Sequence, residues 1–202
     1  FAWSPMPVNQ TLKQIQIPKS LMALAMVSSI LINIEPLLGT FIASTSEIGR
    51  YIVARSLFSV ITPAATALGS KLYRSSISKD PVWRPLLHNC LVYFAALLIS
   101  AMGLTYYQNE VSQLLNLSEP IGIMLILYAA LISLTQAVAT WLDEIFKGRR
   151  SYREMAWSGG LIVAIAVVAA PWLNGITGVF ALGIIASVGR GAAIILASPQ
   201  KL

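Results

Sequence analysis

Apolar residues fall in six long runs separated by short polar stretches, and each run reaches the roughly 20 residues a bilayer crossing needs. The runs predict membrane spans at 18–43, 45–72, 85–106, 120–146, 155–173 and 176–198, with a connector at 1–17 and a tail at 199–202. Between the first two runs, Ser44 followed three residues later by Glu47 has the spacing of a capping box, which starts the second helix near Thr45. Pro36 and Pro63 lie inside runs, where a proline removes a backbone donor and kinks the helix. The stretch QNEVSQLLNLSEP after the third run carries Glu110 and Glu119 but no Lys or Arg, and an Asn174-Gly175 turn joins the last two runs. The pattern predicts an all-α membrane protein of six transmembrane helices.

Composition agrees. Hydrophobic residues make up 56% of the chain and charged residues 11%, with a mean hydropathy of +0.73. Soluble domains carry about 25% charged residues, so an ordinary soluble domain is excluded. The placement of the cations then sets orientation. Lys13, Lys19, Lys71, Arg74, Lys79, Arg84, Lys147, Arg149, Arg150, Arg153 and Lys201 all fall on one side, and only Arg50, beside Glu47, falls on the other. This asymmetry predicts an N-in, C-in topology with both termini cytoplasmic. Cys90 is the single cysteine, so no intrachain disulfide forms. The opening FAWSPMPVNQTLKQ lacks an initiator Met and the shape of a signal peptide, and it reads as a loop within a longer protein.

Glu35 and Arg55 are the sharpest candidates for chemistry. Each sits ten residues from the turn at Thr45, so both lie roughly 15 Å down their helices from the same face. A charge at the bilayer centre costs about 2.5 to 3.5 kcal/mol on insertion scales, and two opposite charges at one depth offset one another. The pair is either a structural ion pair or part of a water-filled cavity, where Glu35 is also the only acid placed to bind a coupling proton or Na⁺. Arg190, inside the last span, either snorkels to the cytoplasmic interface or faces the cavity, where its fork suits phosphate oxygens. Asn33, with Ser29, Thr62, Gln136 and Thr140, is positioned to add hydrogen bonds to a sugar or to a neighbouring helix. Asp143-Glu144 reads as a solvated helix end beside Lys147. His88 reads as a buried or interfacial histidine satisfied by a neighbour, without metal-ligand company. The tryptophans read mostly as interfacial anchors. Gly160-Ala164, Gly175, Gly183 and Gly191 read as close-packing positions. GxSxG, HExxH and phosphate-loop patterns are absent, so neither an enzyme nor a cofactor is expected.

From Leu12 to Asp80 the chain resembles the O-antigen flippase type of polysaccharide-biosynthesis membrane protein, within the multidrug/oligosaccharidyl-lipid/polysaccharide exporter superfamily. The resemblance rests on Glu35, Leu38 and Gly39 in LLGTFIAS, then Glu47, Gly49, Tyr51 and Ala54 in SEIGRYIVAR. FKGRRS after the fourth span adds a looser match, and Glu35 stands where the family often has Asp. The resemblance implies one six-helix lobe, the C-terminal half, of a two-lobe transporter in the cytoplasmic membrane. It also implies partners: membrane lipid, a polyprenyl-pyrophosphate-linked glycan as substrate, and a second lobe or a second copy, with no nucleic acid. Arg55, Arg190 and Asn33 would then contact substrate. One deep acid against two arginines favours an anionic substrate. The rivals are an ion-coupled exporter of small cationic molecules and a scaffold or inactive fragment whose charges are only structural.

Overall fold

A computed structural model describes residues 19–78, 81–117, 119–148 and 152–197. The expected connector at 1–17 and tail at 199–202 lie outside the described residues, as do Trp3, Lys13, Lys79, Asp80, Arg149, Arg150 and Lys201. The described residues form helices: α1 (Lys19–Ile42), α2 (Thr45–Ser59), α3 (Thr62–Ile77), α4 (Trp83–Tyr106), the short α5 (Gln108–Leu114), α6 (Ile123–Gly148), α7 (Tyr152–Ala169), α8 (Gly175–Ile184) and α9 (Arg190–Ala197). A 3₁₀ turn (Ala170–Trp172) ends α7, and a π-turn (Ile185–Gly189) joins α8 to α9. Five helices are long and apolar enough to cross a membrane, or six where the bent α2–α3 pair counts as one span. This is consistent with a multi-pass membrane protein.

The turn at 44 and the break at 60 follow directly from side chains. Ser44 accepts from the Glu47 backbone N–H while the Glu47 carboxylate accepts from the Ser44 backbone, so the capping box is complete. The second span extends to Ile77, beyond the expected Leu72, and bends by 53° between α2 and α3. Pro63 is the cause. It has no N–H to give to the carbonyl of Ser59, so α2 stops and α3 restarts with proline in its first turn. Pro36, by contrast, lies within an α1 that runs on to Ile42.

Two apolar cores are larger than the rest. One joins α2, α3, α4 and α6 through Phe58, Leu72, Tyr93, Ile126 and Trp141. The other joins α1, α7 and α8 through Leu31, Ile34, Ile162, Ala166 and Leu182. Helix α6 packs on α2, α3 and α4 with one side and on α8, the π-turn and α9 with the other, so it is the spine between the two groups. Outward faces are apolar: Met22, Met26, Leu37 and Phe41 on α1, and Leu87, Leu91, Phe94, Leu98 and Met102 on α4, are exposed. Continuous apolar surface of this kind suits lipid rather than water.

Two expectations about packing residues are corrected. Trp141 is no interfacial anchor: it is fully buried, its Nε1 donates to the Ala65 carbonyl at 2.7 Å, and its ring meets Tyr93 edge-on. Trp83, Trp157 and Trp172 are exposed. The close approach of α1 to α7 is made by Gly159, not Gly160. A Cβ on Gly159 would lie 2.5 Å from Val27 Cγ1, whereas one on Gly160 would meet nothing within 4 Å. Val27 is β-branched and stiff about χ1, so it cannot swing aside. Gly159→Ala is therefore expected to lower stability by about 1 to 3 kcal/mol, the usual cost of overpacking, while Gly160→Ala is neutral or slightly stabilising. Denaturant titration of the purified protein in bicelles checks both; equal effects at the two positions would refute this packing account.

Candidate functional site

Where the two helix groups meet, the chain buries a set of charges. Glu35 projects from α1 with no exposed surface. Its Oε1 accepts from Gln136 Nε2 of α6 at 3.1 Å, and its Oε2 accepts from the Tyr51 hydroxyl of α2. Arg55, one turn beyond Tyr51 on the same face of α2, brings Nη1 to 3.3 Å from Glu35 Oε2. Gly183 of α8 closes the fourth side: a Cβ there would lie 2.8 Å from Glu35 Oε1 and 2.4 Å from Ile132 Cδ1, so only glycine admits the carboxylate at this depth.

Pro36 also contributes to this site. Without an N–H it leaves the carbonyl of Ile32, four residues earlier, with no helical partner. Arg55 Nη2 donates to that carbonyl at 2.8 Å. One residue choice thus frees an acceptor and the next helix supplies the cation that takes it. Arg55 is held by a carboxylate and a carbonyl yet keeps 18% of its side chain exposed. Its remaining N–H groups have no partner among the described residues. It lines a cavity of about 220 Å³ with hydroxyls from Ser59, Thr62, Thr66, Ser133 and Thr140 around it.

A second pair lies further along α6. Arg190 Nη2 is 2.5 Å from Asp143 Oδ2 and donates to Ser28 Oγ at 2.8 Å. Both residues are buried and line a second cavity of about 160 Å³. The two cavities share Ile32, Gln136 and Thr140, so they are neighbours along one cleft. The floor of that cleft is the α6 stripe Gln136, Thr140, Asp143 and Lys147, spaced four, three and four residues apart and hence on one helix face. Ser187 in the π-turn lies 2.6 Å from the Gly183 carbonyl and 2.8 Å from Thr135 Oγ1, which ties the turn to α6 just before Arg190.

Several expectations change here. Asp143 is not a solvated helix end: α6 continues to Gly148 and α9 covers the carboxylate with Arg190. Arg190 faces the cavity rather than the interface, but its charge is committed to Asp143. Two deep acids therefore match two deep arginines, and the excess of positive charge that favoured an anion disappears. Asn33 does not join the cleft. It sits on an exposed face of α1, donates to the Ser29 carbonyl at 2.8 Å and lines neither cavity. His88, near the start of α4, is exposed, which removes the buried alternative for it. Arg50 pairs with Glu119, which joins α2 to the segment before α6. Among the described residues no group of three His, Cys, Asp or Glu is placed to hold a metal. Compared with protein-family models, curated proteins and solved structures, the chain matches none of them.

Proposed function

We propose that this chain is one lobe of a flippase that carries a lipid-linked oligosaccharide across the cytoplasmic membrane by alternating access. The observation that carries the reading is Arg55. It is a cation on α2, which with α3 makes a bent pair long and apolar enough to cross a membrane, and it is anchored by Glu35 and the Ile32 carbonyl and lines a cavity together with Ser59, Thr62, Thr66, Ser133 and Thr140. Such a group can hold a phosphate of a polyprenyl-pyrophosphate while the hydroxyls meet sugar and the prenyl chain stays in lipid. In this reading both termini are cytoplasmic, and a second six-helix lobe or a second copy completes the cavity. The bend at Pro63 and the π-turn before Arg190 are the places where helices reorient.

The test is made in cells carrying the full-length protein, by quantifying polyprenyl-linked glycan with mass spectrometry. Arg55→Ala at normal protein abundance is expected to raise the lipid-linked glycan several-fold. Unchanged glycan with unchanged abundance would sink the role of Arg55. The second reading is an ion-coupled exporter of small molecules, which the matched count of deep acids and arginines favours over an obligatorily anionic substrate. Export of a cationic dye that depends on Glu35, with no glycan accumulation, would select it.

A further inference from the structure

Cations gather at one end of the bundle. Lys19 opens α1, Lys71 and Arg74 lie in the last turns of α3, Arg84 is in the first turn of α4, Lys147 closes α6 and Arg153 is in the first turn of α7. Ser76 Oγ donates to the Ile145 carbonyl at 2.6 Å, which sets the ends of α3 and α6 side by side. Leu24, Phe146 and Met155 share a small core that brings the starts of α1 and α7 to the same end. Ion pairs among the described residues engage Arg50, Arg55, Lys147 and Arg190. Lys71, Arg74 and Arg84 are left without a counter-charge among the described residues, and all three are exposed.

One lateral bond sets their depth. Asn89 Nδ2 of α4 donates to the Leu68 carbonyl of α3 at 3.1 Å. Toward the basic end, Arg74 lies six positions from this tie and Arg84 five. At a rise of about 1.5 Å per residue they sit roughly 9 and 7.5 Å from it, on neighbouring helices at nearly one level. Lys71 is one turn nearer the tie, and its long stem reaches the same level by snorkelling. Trp83, beside Arg84, is exposed, as an indole at a headgroup boundary is. Two guanidinium groups and an ammonium at one level suit a phosphate.

Arg84 also heads an apolar track. Arg84, Leu87, Leu91, Phe94 and Leu98 are spaced three, four, three and four residues apart, so they share one face of α4, and all are exposed. Phe94 and Leu98 then line a groove of about 280 Å³ between α4 and α6, walled by Leu127, Leu131 and Leu134 on the α6 side. Every residue that lines it is apolar. Phe94 is ten residues from Arg84, about 15 Å along the helix, which is half of a hydrocarbon core roughly 30 Å thick. A lipid whose phosphate sits at Arg84 therefore runs an acyl chain past Leu87 and Leu91 and ends it at the groove.

We infer that the corner of α3 and α4 is a seat for an anionic phospholipid of the bilayer. Lys71, Arg74 and Arg84 hold its phosphate, and one acyl chain lies along the α4 stripe into the α4–α6 groove. Charge makes the selection, because a zwitterionic phospholipid carries its own cation to the three basic groups. The site shares no residue with the cavity at Arg55 and does not depend on the flippase reading.

The test is native mass spectrometry of the full-length protein released from nanodiscs that hold phosphatidylglycerol and phosphatidylcholine in equal amounts. The wild type is expected to retain phosphatidylglycerol in preference. Arg74→Ala with Arg84→Ala should weaken that retention about thirtyfold, the combined effect of two basic residues at a membrane surface. Lys19→Ala with Arg153→Ala removes the same charge from the same end and should leave retention unchanged. All four side chains are exposed, so neither double variant opens a core. Absence of a preference for phosphatidylglycerol would overturn the inference. Equal losses in the two double variants would do so as well, reducing the effect to the diffuse field of the basic end. Displacement of phosphatidylglycerol by an equimolar polyprenyl phosphate would make the corner a route for a transported lipid and would also overturn it. The flippase reading fails separately, because Arg55→Ala and glycan accumulation do not involve this corner.

Discussion

Replacing Glu35 by leucine is expected to destabilise the protein by about 3 to 5 kcal/mol, the cost of removing one partner from a buried ion pair. The carboxylate is fully buried and receives Tyr51 and Gln136 as donors and Arg55 as counter-charge. Leucine satisfies none of them. Interhelical hydrogen bonds in membrane proteins average only about 0.6 kcal/mol each, so the two donors alone would account for little more than about 1 kcal/mol. The excess measures the charge. Arg55 keeps the Ile32 carbonyl and its contact with the cavity, so part of its own penalty is relieved. Equilibrium unfolding in mixed micelles of the wild type, Glu35→Leu and Glu35→Leu with Arg55→Met separates these contributions. A loss of about 1 kcal/mol or less in the single variant would show that the ion pair contributes nothing beyond ordinary helix contacts.

The same residues show what a sequence can and cannot reveal about a membrane fold. Spans were legible because each must be continuously apolar, and the turn at Ser44 because a capping box is local. The pairing of Glu35 with Arg55 was legible as a depth match, since both are measured from one turn. Its other partners were not. Tyr51 and Gln136 are ordinary residues until helix rotation is known, and rotation is set by packing with distant segments. Asp143 was misread for a related reason. Its neighbours Glu144 and Lys147 do make a helix-end pair, but α6 runs past them and α9 closes over Asp143. A signal was present all the same: Gln136, Thr140, Asp143 and Lys147 form one polar stripe in an otherwise apolar run, the mark of a helix facing something wet. Gly159 was missed in favour of Gly160 because adjacent glycines look alike in sequence, and only the neighbour at Val27 distinguishes them.

Arg190→Met is expected to cost about 3 to 5 kcal/mol as well, but with a different pattern of rescue. It leaves Asp143 buried with Lys147, one turn away and already engaged by Glu144, as the nearest cation on its own helix. Adding Asp143→Leu removes the stranded charge. At Glu35 the matching double variant leaves Tyr51 and Gln136 without their acceptor, so rescue there is partial. At Asp143 the pair's only side-chain hydrogen bond to a third residue, among the described residues, is that of Arg190 with Ser28, and two unpartnered atoms disappear with the pair. Replacing a buried ion pair by apolar residues of similar volume is often neutral or stabilising. The double variant should therefore return to within about 1 kcal/mol of the wild type, or exceed it, in the same unfolding measurement. Full rescue at this pair with partial rescue at Glu35 would mean that the Asp143–Arg190 contact is not kept for stability, and a site that the pair serves becomes the reason to retain it. Poor rescue at both would make the two pairs equivalent structural clamps and remove that reason.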